Sequence, residues 1–189
     1  MEARLVFAPV THLPVEAVCT QLRCKPDGAP WDNWQNQSAN RDIIHAVGMN
    51  FHQQIFGIRY SVRDRPVFVV SDTAVVRTPV RRVIFHVLRG GYTNDTDSYM
   101  HWMDAADNNN IDSIAMPLTV DPEEFMGVLK EPDPVWVRQT LMQYVVHAYS
   151  AFSSNLDKQR LKLVYFAVDP RLQMYQADAM EVWREAICR

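Results

Sequence analysis

Glycine is scarce in this chain, with six in 189 residues. None lies between Gln35 and Arg41, and none between Ile111 and Met126. Both stretches therefore lack the bare backbone N–H groups with which glycine-rich loops cradle phosphate. Cysteine is equally sparse: Cys19, Cys24 and Cys188 form no CxxC and no even framework, so free thiols in a reducing compartment are expected. No apolar run approaches the roughly 20 residues that cross a bilayer. Met1-Glu2-Ala3-Arg4 enters a strand with no signal-peptide pattern, which predicts a cytoplasmic or nuclear protein, neither secreted nor membrane-bound. Positive charge is not in excess either: the formal net charge of −3 argues against a general binder of nucleic acid or anionic membrane. The six histidines show no metal-ligand spacing. His45 and His52, seven apart on one expected helix face, have no third ligand, so neither a metal nor a cofactor is expected.

What remains is an ordinary globular composition, 48% hydrophobic and 22% charged, in a length that suits one buried core and a single domain over 1–189. Short β-prone runs at Leu5-Val6-Phe7 and Val15–Cys19 are separated by Pro9 and Pro14. From Cys24 to Asn40 the chain is polar and irregular and carries Trp31 and Trp34, the pattern of a functional loop. Ser38 or Asn40 can cap a helix from about Arg41 to Phe56, with Ile44, Val47, Phe51 and Ile55 at helical spacing. Val67–Val70, Ala74–Val76 and Val83–Leu88 are expected strands, the last nearly all apolar and therefore central. Tyr99, Trp102, Met103 and Ala106 share a helical face between Asp95 and Asn108. A strand over Ile111–Met116 follows, then the acidic stretch Asp121–Leu129. The clearest helix spans Val135–Phe152, with Val137, Leu141, Val145, Ala148 and Phe152 as one stripe. Leu161–Val168 is a further strand, ended by Asp169-Pro170 and followed by a helix from about Gln173 to Ile187. Strands alternating with helices, three of the strands long and apolar, predict a three-layer α/β/α sandwich with a mixed central sheet.

Several of these segments, in this order, resemble a macro domain, the ADP-ribose-binding α/β module. Ala8-Pro9-Val10-Thr11-His12-Leu13-Pro14-Val15-Glu16-Ala17-Val18 is similar to G-D-I-T-x-L-x-V-D-A-I-V. Ile43-Ile44-His45-Ala46-Val47-Gly48 resembles the helix A-I-x-x-A-A-G, and Ala74 through Val87 the run A-x-x-T-x-x-x-L-x-x-x-V-I-H-V. Ile111 through Pro117 resembles I-x-S-I-A-F-P, and Leu163 through Asp169 the last strand, V-x-F-V-x-F-D. The likeness spans roughly residues 5 to 178 and implies a pocket at the strand ends.

The resemblance also implies where ligand contacts would fall. The aspartate that accepts from the adenine amino group falls on Pro9, which has no side-chain acceptor and no N–H. The distal-ribose asparagine of V-N-A-A-N falls on Arg23. The glycine loop before the helix becomes Gln35–Arg41, and the aspartate of hydrolase-type members falls near Asn40, which cannot act as a base. The second phosphate loop, I-S-T-G, falls on Thr119-Val120-Asp121-Pro122, where a carboxylate would face a diphosphate and a proline removes a donor. Tyr175 stands where family members offer an aromatic face to a base.

Other candidates have plainer explanations. Arg23, Lys25, Arg41, Arg59, Arg63, Arg65, Arg77, Arg81 and Arg82 make the first half locally basic, a patch for phosphate or RNA with Trp31 and Trp34 as stacking faces, or simply solvated charge. Asp121, Glu123 and Glu124 suit acid–base work, but also the favourable start of a helix. Cys24 and His45 lack an orienting third group. His86 is expected as a core histidine satisfied by backbone. Together these features predict a non-catalytic macro-fold module with a degenerate pocket, no catalytic residues, and a protein, RNA or altered-nucleotide partner. ADP-ribose or a related nucleotide is expected to bind weakly. The competing expectation is a retained ADP-ribose binder or a hydrolase with relocated residues. A third is an accessory piece of a larger viral or cellular assembly; a diverged module this small would suit a viral genome.

Overall fold

The computed structural model describes residues 1–24, 39–47, 67–71, 82–89, 96–118 and 133–188. The described strands are β1 (Glu2–Phe7), β2 (Ala17–Cys24), β3 (Val67–Ser71), β4 (Arg82–Arg89), β5 (Ser113–Pro117) and β6 (Leu163–Val168). The helices are α1 (Asn40–Val47), α2 (Thr96–Asn108), α3 (Pro134–Ser153) and α4 (Gln176–Ile187). The strands form one sheet in the order β1-β6-β5-β2-β4-β3. All neighbours are parallel except β3, which pairs antiparallel with β4. The sheet is therefore mixed, as the sequence pattern predicts.

Alternation along each strand builds a core on both faces. Ala17 and Cys19 of β2, Ile84 of β4, Ile114 and Met116 of β5, and Val164, Phe166 and Val168 of β6 pack beneath α2, α3 and α4. Val18 and Leu22, Val83, Phe85 and Val87, Ala115, and Tyr165 and Ala167 point the other way, onto Ala39 and Ile43 and onto Val10 and Leu13. The largest fully buried side chains include Trp102, Tyr99, Phe85 and Phe166. Complete burial of an aromatic or branched side chain contributes about 1.5–3 kcal/mol, so these positions dominate the stability.

The helix boundaries have local causes. In α3, the Asp133 carboxylate accepts from the Val135 N–H at 2.9 Å and Pro134 opens the first turn, satisfying one orphan donor where no donor is missed. The expected stripe Val137, Leu141, Val145, Ala148 and Phe152 is buried throughout. Helix α2 buries Tyr99, Trp102, Met103 and Ala106 and is closed two residues past its end by Asn110, whose φ of 55° is left-handed. There the Asn110 N–H donates to Asp107 O at 3.2 Å and the Ile111 N–H to Ala106 O at 2.9 Å, the paired closure that asparagine tolerates at a helix C-terminus. This closure corrects one boundary: Ile111 belongs to the cap, and the strand starts at Ser113. In α1, Ile43 is fully buried and Ile44 packs half-buried against the same core. Phe51, Ile55 and the expected strand at Ala74–Val76 lie outside the described residues. Between β6 and α4 a 3-10 turn, Pro170–Tyr175, occupies what the pattern predicts as the start of the last helix.

Candidate functional site

The next described helices after β2 and β5 lie on opposite faces of the sheet. From β2 the chain reaches α1 on one face, whereas from β5 it reaches α3 on the other. These adjacent strands therefore form a topological switch point, and open α/β sheets bind ligands in the crevice outside such strand ends. The described residues at its mouth come from four segments: the 3-10 turn Val10–His12 after β1, the start of α1, Leu118 after β5, and Asp169–Arg171 after β6.

Asn40 begins α1 and is fully buried. Its Oδ1 accepts from Thr20 Oγ1 at 2.8 Å, and its Nδ2 donates to the Gln21 carbonyl at 2.9 Å. Both functions of the amide are thus engaged with β2, and they pin the helix start to the strand. Pro9 precedes the 3-10 turn in an extended conformation, φ −60° and ψ 138°. Its carbonyl accepts from the His12 N–H at 3.0 Å. Around these positions lies a mixed charge cluster. Burial of the carboxyl group and the nearby Asp169 charge push Asp42 up from the ordinary carboxylate range, while Arg171, Arg41 and His12 pull it back. Burial opposes ionisation of Asp169 too, but hydrogen bonds from the Arg171 guanidinium and N–H hold it below its ordinary value.

The opposite face of β2 carries a second polar chain. Gln21 and His86 are register partners on β2 and β4, and both reach Ser98 in the first turn of α2. Gln21 Nε2 donates to Ser98 Oγ at 2.7 Å, and Ser98 Oγ lies 2.7 Å from His86 Nδ1. The network assigns the serine proton to Nδ1 and the ring proton to Nε2. The His101 ring packs on His86 at 4.6 Å between centroids. Burial, reinforced by the His101 charge and opposed by Asp97, lowers the His86 pKa to about 4. His86 is a core histidine as expected, but its partner is a serine hydroxyl and not backbone. Nearby, Trp102 Nε1 donates to Thr20 O at 3.2 Å, and the Tyr99 hydroxyl donates to Leu118 O.

The expected site residues thus separate. The Pro9 turn and Asn40 come together on one face of the sheet. Arg23 lies in β2 with its Cα paired to Leu88. Tyr175 packs at the edge of the core beneath α3 and α4, on the other face from Asn40, with its hydroxyl donating to Pro134 O at 3.4 Å. Thr119, Val120 and Asp121 lie outside the described residues, as do Trp31, Trp34 and His52. Cys19 is buried, and burial pushes its thiol well up; Cys188 is exposed. No three His, Cys, Asp or Glu side chains converge as a metal site needs, among the described residues. No helix among them is long and apolar enough to cross a membrane. Sequence reasoning missed the buried polar layer of Thr20, Gln21 and Ser98. Its available signal was the pair Thr20-Gln21 in the middle of an otherwise apolar strand.

No family model and no curated protein matches the sequence. Solved structures do match the fold. A mutant macrodomain from Oceanobacillus iheyensis superposes with a TM-score of 0.63 at 14% identity, covering 98% of this chain and 90% of that one. The macro domain of ganglioside induced differentiation associated protein 2 gives 0.61 at 11%, covering 96% and 84%. A Trypanosoma brucei macrodomain in complex with ADP-ribose gives 0.60 at 16%, covering 98% and 68%.

Proposed function

We propose that this chain, which has a macro-domain fold, is a non-catalytic binding module whose crevice has lost the ADP-ribose contacts and engages a protein, an RNA or an altered nucleotide instead. The observation that carries the reading is Asn40. It stands near where the resemblance puts the hydrolase aspartate, it has no basic oxygen to offer, and its amide is buried against Thr20 and Gln21. Pro9 adds to it, since a proline in place of the adenine-binding aspartate removes an acceptor worth about 1–3 kcal/mol, or roughly one to two orders of magnitude in Kd. Arg23 in place of the distal-ribose asparagine, and Thr119-Val120-Asp121 in place of a glycine-bearing phosphate loop, support the same reading from the sequence.

A second reading, retained ADP-ribose binding, is favoured by the solved Trypanosoma brucei macrodomain, which holds that ligand. Demodification separates the non-catalytic reading from that of a hydrolase with relocated residues. Incubated with a mono-ADP-ribosylated protein, this chain is expected to release no ADP-ribose beyond the uncatalysed rate. Stoichiometric turnover would overturn the non-catalytic reading.

A further inference from the structure

We infer that Tyr99 is a positioning residue of the crevice, its hydroxyl fixing the point at which the chain leaves β5. The parallel β5–β6 register ends at Pro117 opposite Ala167. Leu118, one residue beyond the ladder and fully buried, is then held at both of its peptide groups. Its N–H donates to Ala167 O at 2.9 Å, and its carbonyl accepts from the Tyr99 hydroxyl. A buried carbonyl past the end of a strand has no ladder partner, and leaving it bare is costly. The tyrosine oxygen supplies that partner at the end of β5, beside the middle of β2. The ring is located independently, edge-on to Trp102 at 5.9 Å and to Phe166 at 5.8 Å, so a phenylalanine would fill the same space without the hydrogen bond.

The neighbouring residue on the same helix face repeats the device on the other strand. Trp102 Nε1 donates to Thr20 O of β2, so α2 fixes both β2 and the exit from β5 from beneath. The assignment rests on the proposed function only in taking the crevice as the binding site.

The test needs no ligand. Residue-resolved amide exchange and carbonyl chemical shifts are compared in the wild type, Tyr99→Phe and Trp102→Phe. Tyr99→Phe is expected to move the Leu118 carbonyl shift and to speed exchange at Leu118 by tenfold or more relative to Val164 and Phe166. Trp102→Phe should act at Gln21 and leave the Leu118 ratio unchanged. Exchange rising by one common factor at all these amides in both variants would overturn the inference, since Tyr99 would then act only through the general core. ADP-ribose binding tightly would sink the proposed function and leave this crossed pattern intact. Uniform exchange would do the reverse.

Discussion

His86 should make the stability of this protein depend on pH in a window set by its burial. The ring is 6% exposed, hydrogen-bonded through Nδ1 to Ser98, and packed at a tilt of 41° against His101. Protonating it would place a charge in the core beside a second histidine and break acceptance from the serine. Burial first, and the His101 charge second, lower its pKa from 6.5 to about 4, with Asp97 partly offsetting them. Because the folded value lies below the unfolded one, the stability contributed by the neutral ring is complete above about pH 6.5. It is lost progressively as the pH falls towards about 4, and is constant below that. At about 1.4 kcal/mol per pH unit, the full loss is about 3 kcal/mol. That is a large part of a typical folding free energy of about 5–15 kcal/mol.

The perturbation that isolates the effect is His86→Asn, which keeps a short polar side chain towards Ser98 but has no proton to gain. Urea unfolding of both proteins, in steps between about pH 7 and pH 4, gives two stability curves. The wild type is expected to lose about 3 kcal/mol more than the variant across this range. The carboxylates held low by their partners, such as Asp169, titrate alike in both and cancel in the difference. Parallel curves, separated by the same amount at both ends, would refute the reasoning.

Asn40→Ala should cost about 2–3 kcal/mol in equilibrium unfolding, because it removes the buried bonds to the Thr20 hydroxyl and the Gln21 carbonyl. A loss under about 0.5 kcal/mol would mean that the α1 start is not held by this side chain. Asn40→Asp should be worse than alanine, since a carboxylate oxygen would face the Gln21 carbonyl in a fully buried position; equal or greater stability would contradict the geometry. Pro9→Asp restores a side-chain acceptor before the 3-10 turn, at a position whose extended backbone an aspartate adopts readily. Affinity for ADP-ribose is expected to rise about tenfold or more, and an unchanged calorimetric titration would show that the adenine contact lies elsewhere.

How much the sequence revealed depended on whether the signal was local. The α3 stripe from Val137 to Phe152 and the α2 face of Tyr99, Trp102, Met103 and Ala106 were legible because burial repeats at the helical period. The mixed sheet was legible in its apolar runs, although the antiparallel pairing of β3 was not, since strand direction is set by tertiary connection. Ile44 was legible from its spacing and packs half-buried against the core, whereas the fully buried Ile43 beside it left no periodic signal. The candidate site was less readable. Asn40 could be marked by resemblance as a position that cannot act as a base, but its bonds join residues 19 and 20 positions apart. The Tyr99–Leu118 and Gln21–Ser98–His86 contacts likewise join segments that only the folded chain brings together, and hydroxyl partners leave no periodic trace.

The central claim is that a macro-domain fold has here given up its ADP-ribose contacts, and titration calorimetry of the unmodified protein with ADP-ribose tests it most directly. The account predicts no binding tighter than about 10 μM, as expected if Pro9 stands in place of the adenine acceptor and glycine-free stretches in place of the phosphate-cradling loops. A one-to-one isotherm with a Kd well below about 10 μM would contradict it.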